Sequence, residues 1–260
     1  MQTKDYEDMA ELEANFWWFI GMREIAAVLL DPWLATPRDR VILDAGCGTG
    51  GNLAWLQRYV GNGRIVGLDY VNTALQFCHQ AGHQRLAQAS ATDLPFADAS
   101  FDLVTSFDVL VQIRGTGADE QAMREMWRVL KPGGFAFVRC AAYEWMKSGH
   151  DAALDTQRRY TLPQLHECLT RAGLRVLRQT YANSFLFPVV ALRRLALKPL
   201  GLADGGSDVK PLPPSLLWLN NWLTGALRRE AKLLKTRNFQ LRFGLSAICV
   251  VQKPETIHDR

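Results

Sequence analysis

The chain has 260 residues, 48% of them hydrophobic and 22% charged, with a formal net charge of +4, the balance of a globular protein that buries a sizeable core. No stretch reaches about 18 consecutive apolar residues and Met1–Asp8 lacks the basic-then-apolar order of a secretory leader, so a cytoplasmic protein is expected. Five scattered cysteines (Cys47, Cys78, Cys140, Cys168, Cys249) contain no C-x-x-C pair, which speaks against a zinc ribbon or thiol exchange and for reduced, mostly buried thiols.

The opening segment reads as helix: Tyr6, Met9 and Glu13 precede Phe16-Trp17-Trp18-Phe19, and Ile25, Val28 and Leu29 follow until Asp31-Pro32 breaks the pattern. From residue 41 strand-like and helix-like pieces alternate, which argues for a parallel sheet covered by helices on both faces. Val41–Asp44 is a buried strand, Leu53–Tyr59 a helix, Arg64–Leu68 a strand, Thr73–Ala81 a helix and Gln84–Gln88 a weak third strand. Phe101–Ser106 is the fourth strand and Asp119–Val129 a helix opened by acidic residues. A turn at Lys131-Pro132-Gly133-Gly134 leads into the fifth strand, Phe135–Cys140. Thr161-Leu162-Pro163-Gln164 starts a helix that stops at Gly173, and Leu174–Tyr181 and Leu245–Val251 are the last two strands. The long interval between them is too long for a structureless loop and predicts a helical insertion.

The densest chemical signal is Asp44-Ala45-Gly46-Cys47-Gly48-Thr49-Gly50-Gly51, at the junction of a buried strand and a helix. Glycines there allow a sharp turn and close approach of a ligand to the main chain, beside the free N–H groups of a helix start. Gly46, Gly48 and Gly51 also satisfy G-x-G-x-x-G, so a dinucleotide-binding dehydrogenase must be weighed. Asp44 separates the two readings: a carboxylate suits the ammonium of S-adenosylmethionine and repels the pyrophosphate of NAD. The interaction is worth roughly 4 kcal/mol at 4 Å for an effective dielectric near 20. Asp69, closing the second strand with Tyr70 beyond it, can accept two hydrogen bonds from ribose hydroxyls. Ala91-Thr92-Asp93-Leu94-Pro95-Phe96 follows the third strand and offers an acid for an adenine amino group beside an apolar side chain.

With these motifs, Ser100-Phe101-Asp102-Leu103-Val104 and Arg128–Gly134, the chain resembles the class I S-adenosylmethionine-dependent methyltransferases over residues 41–182 and the final strand, and within them the small-molecule methyltransferases. The resemblance implies a Rossmann-like α/β fold: a doubly wound, mostly parallel seven-stranded sheet in the order 3-2-1-4-5-7-6, the last strand antiparallel. It implies S-adenosylmethionine as cofactor, with Asp44, Ala45, Gly46, Cys47, Gly48 and Gly50 around the methionine end. Asp69 and Tyr70 would meet the ribose, Thr92, Asp93 and Leu94 the adenine, and Phe107 and Asp108 would face the transferable methyl. Many relatives carry Glu-His near the end of the segment after the fourth strand; Val111-Gln112 stands here instead.

Methyl transfer is an in-line displacement that needs alignment and, for an oxygen acceptor, removal of a proton; no metal is required. His150, Asp108 and Tyr160 are the catalytic candidates, His150 as a base oriented by Asp151. The simpler reading makes His150, Asp151 and Arg159 a hydrogen-bonded network that fixes a loop over the cofactor. Trp18, Arg23, Tyr143 and Arg159 are candidates for the acceptor side, Arg159 as a clamp for an anionic group. His150-Asp151 followed by Arg158-Arg159-Tyr160-Thr161 resembles a subgroup often opened by a Trp-Trp-Phe segment like Trp17–Phe19, read either as core or as a lid.

Residues 1–36 thus form an N-terminal helical segment or lid, 37–184 plus 241–254 the cofactor-binding domain, and 185–240 the insertion. Residues 185–242 carry 10 Lys and Arg against 3 Asp and Glu, while residues 1–184 carry 18 against 21, so the basic excess is local. Apolar residues 216–234 recur at helical spacing, with Trp218 and Trp222 one turn apart and cations gathered at the end. This reads first as a helix packed on the domain, and alternatively as an element lying on a membrane surface. The expected function is transfer of a methyl group from S-adenosylmethionine to a small-molecule or lipid-like acceptor. A nucleic-acid acceptor is the alternative, disfavoured because no Asn/Asp-Pro-Pro-Tyr/Phe tetrad or appended RNA-binding module is present; cofactor binding without methyl transfer is a third. Oligomeric state is not legible.

Overall fold

The computed structural model describes residues 3–36, 38–197 and 213–255. In chain order they form α1 (Thr3–Leu12), α2 (Trp17–Leu34), β1 (Val41–Ala45), α3 (Gly51–Leu56), β2 (Arg64–Asp69), α4 (Asn72–Gln80), β3 (Leu86–Gln88), β4 (Phe101–Phe107), α5 (Ala118–Val129) and β5 (Leu130–Ala141). There follow α6 (Gly149–Ala153), α7 (Leu162–Arg171), β6 (Arg175–Ala182), α8 (Phe187–Leu197), α9 (Leu217–Leu234) and β7 (Ser246–Gln252). The seven strands form one sheet in the order β3-β2-β1-β4-β5-β7-β6, with β7 antiparallel to both neighbours, as expected.

Central strands of a parallel sheet are covered on both faces, which is why β1 and β4 are apolar without alternation. Leu43, Val104, Ala136 and Val138 point to a core closed by α5 and α7. Their neighbours Ile42, Leu103 and Phe137 point the other way, into a core closed by α2, α3 and α9. Thr161 and Gln164 form a reciprocal capping box that starts α7 with Pro163 in its first turn.

Three local expectations change. Asp31-Pro32 does not end the N-terminal helix: α2 runs through Pro32 to Leu34, because burial of Leu30 and Leu34 outweighs the lost hydrogen bond in the last turn. The opening segment also splits, with residues 13–16 as a joint between α1 and α2. Finally, Lys131–Gly134 does not precede β5 but lies within it, as an irregularity between the pairs Phe101↔Leu130 and Leu103↔Phe135. Gly133 there takes φ 77°, and the stretch exchanges backbone hydrogen bonds with Lys253.

The insertion contains α8 and α9; the Gly/Asp-rich stretch at 201–208 lies outside the described residues. α9 lies along α2, with Asn220 Oδ1 accepting from the Trp17 N–H at 2.8 Å and Arg228 paired with Glu24 at 2.8 Å. Gly21 permits the approach, since a Cβ there would collide with Leu227. Glu230, buried and pushed up by that burial, accepts the Asn183 and Ser184 amides at 2.6 and 2.9 Å and fastens α9 to the end of β6. Among the described residues no helix is long and apolar enough to cross a membrane.

Candidate active site

At the carboxyl end of β1 the chain turns through Gly46, Gly48 and Gly50 at φ +97°, +54° and +97°, all in the left-handed region. The Gly46 and Cys47 amides donate to the Leu68 carbonyl at 2.7 and 2.8 Å, which locks the loop to the end of β2. A Cβ on Gly46 would collide with the Val109 side chain, so the glycine answers both to φ and to space. One residue beyond Leu68, the Asp69 carboxylate accepts the Gly48 and Val71 amides at 2.9 Å each; burial pushes its pKa up against those hydrogen bonds.

Asp44 is fully buried. Its Oδ1 accepts from Thr105 Oγ1 at 2.7 Å, while Oδ2 has no partner. Burial pushes the carboxyl up to about 7, over the opposing Thr105 hydrogen bond and with the charges of Glu13 and Asp69 adding to the rise. Glu13, from the joint between α1 and α2, escaped the sequence reading. Its Oε2 accepts from Thr49 Oγ1 at 2.7 Å and from the Gly51 amide at 2.9 Å, so an N-terminal residue braces the glycine loop. Arg23 donates to the Glu13 and Gly51 carbonyls; it supports this brace and does not line the cavity.

The glycine loop opens into a cavity of about 1360 Å³. Of the expected cofactor residues, Gly46, Cys47, Gly48, Asp69, Tyr70, Thr92, Phe107 and Asp108 line it. Asp44, Ala45 and Gly50 stand behind that lining. Asp93 is exposed next to it, and Leu94 is turned into the core, its amide held by Glu125 at 2.8 Å. Trp18 and Arg159 line the cavity as well, together with Trp17, Phe19, Leu186 and Val190.

Asp108 follows β4 in a left-handed conformation at φ 59°, unusual for a residue with a Cβ. Its carboxylate accepts from Arg139 Nε at 2.8 Å, and its amide donates to the Arg139 carbonyl at 2.9 Å. The Arg139 guanidinium lies 4.6 Å from the Trp18 ring centre and 5.1 Å from that of Phe107. Sequence reasoning missed Arg139, although a lone arginine inside the apolar run Phe135–Cys140 was a signal, since such a charge is buried only with a partner.

Beyond β5, Arg159 and Asp151 form a buried bidentate pair at 2.7 and 3.0 Å, and Arg159 Nη1 also donates to the Ala142 carbonyl. Asp151 further accepts the Ser148 amide at 2.8 Å. Burial alone would raise its pKa, but Arg159 outweighs it and holds the carboxyl below its usual range. The Asp151 carboxylate is therefore committed to Arg159 and Ser148. His150 sits in α6, and its side chain lies outside the described residues. Tyr160 is turned away from the cavity: its hydroxyl donates to Asp119, which also pairs with Arg158. Tyr143 is likewise drawn off the cavity, stacked on Tyr181 with ring centres 5.2 Å apart.

This donor set fits S-adenosylmethionine. An orphaned buried carboxylate oxygen suits an ammonium, a second carboxylate at the end of β2 suits hydroxyls, and the loop between them has no side chains in its turns. Sheet order and loop position together define the class I S-adenosylmethionine-dependent methyltransferase fold. Residues 43–138 match the family described as "Methyltransferase domain". The chain is 38% identical over 111 residues to an Encephalitozoon cuniculi protein, a match spanning 43% of this chain and 48% of that one. It is 29% identical over 238 residues to the 2-phytyl-1,4-naphtoquinone methyltransferase of Thermosynechococcus vestitus, covering 90% and 89% of the two chains. It is 28% identical over 215 residues to the fatty-acid O-methyltransferase of Mycolicibacterium smegmatis, covering 77% and 65%. A shorter match, 31% over 124 residues, is to a tRNA (carboxymethyluridine(34)-5-O)-methyltransferase of Arabidopsis thaliana, of which it covers 28%. Among solved structures, the Haloferax volcanii chain in complex with the Trm112 methyltransferase activator superposes with a TM-score of 0.59 at 21% identity, over 95% and 93% of the chains. The [4+2]-cyclase SpnF does so at 0.54 and 24%, over 89% and 81%. The chain has the fold of the class I S-adenosylmethionine-dependent methyltransferases.

Proposed function

We propose that the protein transfers a methyl group from S-adenosylmethionine to an apolar small-molecule or lipid-like acceptor held between Trp17–Phe19 and α8. The observation that carries this reading is the continuity of the cavity. The glycine loop and Asp69 share one space of about 1360 Å³ with Trp18, Phe19, Leu186 and Val190, more than a single drug-sized ligand needs at roughly 300–1,000 Å³. The quinone and fatty-acid acceptors named for two relatives agree with the apolar part of this wall, which Arg159, Arg193 and Arg194 complete with positive charge.

In this reading Asp44, behind Gly46, offsets the charge of the methionine end, Asp69 accepts from ribose hydroxyls, and Ala91 and Thr92 wall the adenine, with Asp93 beside them. Bound S-adenosylmethionine supplies an electrophilic methyl on a sulfonium. Phe107 and Asp108 face it, and Arg139 fixes Asp108 and the Trp18 ring, which excludes water and aligns the acceptor. Of the three catalytic candidates Asp108 lines the cavity and Tyr160 does not; in this reading the Asp108 carboxylate, held by Arg139, receives the proton of an acceptor hydroxyl, and His150 would act without Asp151 as its orienting group.

Calorimetry with S-adenosylmethionine, S-adenosylhomocysteine and NAD, with Asp69→Ala as control, tests the cofactor assignment; binding of NAD alone would overturn it. S-adenosylhomocysteine release with quinol and fatty-acid acceptors tests the rest, and turnover confined to RNA would replace the acceptor class. Cofactor binding with no turnover on any acceptor would favour a non-methylating role.

A further inference from the structure

We infer that α8, the start of α9 and the aromatic side chains beside them form a docking surface for an anionic lipid bilayer, placed over the acceptor end of the cavity. α8 carries an apolar stripe on its outer side. Val190, Arg193, Arg194 and, just before the helix, Leu186 line the cavity, whereas Val189, Leu192 and Leu195, one stripe at i, i+3 and i+6, are 64%, 69% and 62% exposed. An apolar stripe along a helix is ordinarily covered by a partner.

The stripe does not stand alone. At the start of α8, Phe187 packs against Trp145 and Phe243 at 6.3 and 5.4 Å between ring centres, and both partners are nearly half exposed. Phe185 meets Trp222 at 6.3 Å, and Trp222 and Trp218 are 57% and 64% exposed on the outer face of α9. Aromatic and aliphatic side chains therefore extend from α8 onto α9 next to the cavity wall, beyond what isolated surface apolar residues amount to.

Charge selects the occupant. Among the described residues of 185–242 there are eight cations (Arg193, Arg194, Arg228, Arg229, Lys232, Lys235, Arg237, Arg242) and one acid, Glu230, which is buried against the Asn183 and Ser184 amides. Arg193 and Arg194 line the cavity and Arg228 pairs with Glu24, while Arg229, Lys232, Lys235 and Arg242 are exposed, so the outer surface of this region carries positive charge beside apolar residues, the combination that binds anionic headgroups and the acyl boundary beneath them. A second copy of the chain would bring the same cations against them in a two-fold interface, which costs repulsion. The inference rests on the apolar-acceptor reading for its purpose, since an acceptor dissolved in the bilayer would reach the cavity past α8, but its test needs no turnover.

The test is flotation of the full chain with phosphatidylcholine vesicles, with and without phosphatidylglycerol, at low and raised salt. Association with the phosphatidylglycerol vesicles, weakened by salt and reduced about tenfold or more in Leu192→Glu/Leu195→Glu, is expected. Arg229→Glu/Lys232→Glu should weaken binding to anionic vesicles without touching the apolar stripe. Calorimetry with S-adenosylmethionine on the same variants verifies that they are folded. Absence of flotation with anionic vesicles, equal flotation of wild type and both variants, or light scattering showing a dimer that Leu192→Glu/Leu195→Glu converts to monomer would overturn the proposal. Loss of S-adenosylmethionine binding by the wild type would instead count against the methyltransferase reading and leave the vesicle result standing.

Discussion

The two walls of the cavity are built in different ways. The cofactor wall comes from residues 46–48, 69–71 and 89–92, and its hydrogen bonds run mostly between backbone amides, the Leu68 carbonyl and the Asp69 carboxylate. The opposite wall, the acceptor side in the proposed reading, gathers Trp17–Phe19, Arg139, Arg159, Leu186 and Val190 from the whole length of the chain and is made of side chains. A wall of backbone in special conformations tolerates little substitution and keeps one ligand, whereas a wall of side chains can be refitted to new acceptors on the same sheet. The relatives named for quinone, fatty-acid and tRNA acceptors fit that division.

The sharpest way to break the cofactor wall alone is Gly46→Ala. It imposes a Cβ at φ +97° and against Val109, at a cost of at least about 3 kcal/mol, so S-adenosylmethionine affinity measured by calorimetry should fall roughly 100-fold. Unchanged affinity would mean that the loop does not hold the ligand. On the other wall, Arg159→Ala leaves Asp151 buried without its partner, and urea unfolding should show a loss of about 3 kcal/mol. Its acidic limb should shrink too: the Asp151 carboxyl lies below its usual range in the wild type, a contribution present above the unfolded pKa and lost as pH falls through the folded one.

Arg139→Ala, at the junction of the walls, should cost about 2 kcal/mol, less than Arg159 because Asp108 is partly exposed. Turnover should fall while S-adenosylmethionine affinity changes little. Arg139→Lys should restore stability in part but not the alignment of Trp18, because an ammonium lacks the planar face that stacks on the indole. Equal loss of cofactor binding and turnover would place Arg139 on the cofactor wall instead.

This division also explains what the sequence revealed. The glycine loop and Asp69 were legible because a strand, a turn and a helix within a short stretch fix them locally, and the long apolar strands could only be central in a parallel sheet. Glu13 and Arg139 were not, because nothing within reach in sequence says that the α1–α2 joint meets Gly51 or that β5 ends beneath Trp18. Tyr160 and Tyr143 looked like acceptor-side groups for the same reason: their true partners, Asp119 and Tyr181, are 41 and 38 positions away. The helical spacing of residues 216–234 predicted α9, but only the packing of Leu227 over Gly21 shows that it shares a core with α2.

The smallest predicted effect is the most specific, and it concerns Asp44. With its carboxyl raised to about 7 by burial, the ligand-free protein holds this proton to higher pH than the unfolded chain does. Its contribution to stability is therefore full below the unfolded value near 4 and is lost as pH rises through about 7. A bound ammonium reverses the preference, because only the ionised carboxylate attracts it. S-adenosylmethionine affinity should then rise about tenfold between roughly pH 5.5 and 7.5, with proton release detectable by calorimetry in buffers of different ionisation heat. Glu13 and Asp69, both pushed up by burial, titrate in the same direction, so the wild-type slope alone does not isolate Asp44. Asp44→Asn does: it should weaken binding about tenfold at the upper pH, flatten much of the slope and raise the melting temperature of the ligand-free protein above pH 7. A variant that keeps the wild-type slope would show that the orphaned oxygen of Asp44 does not see the ligand's charge.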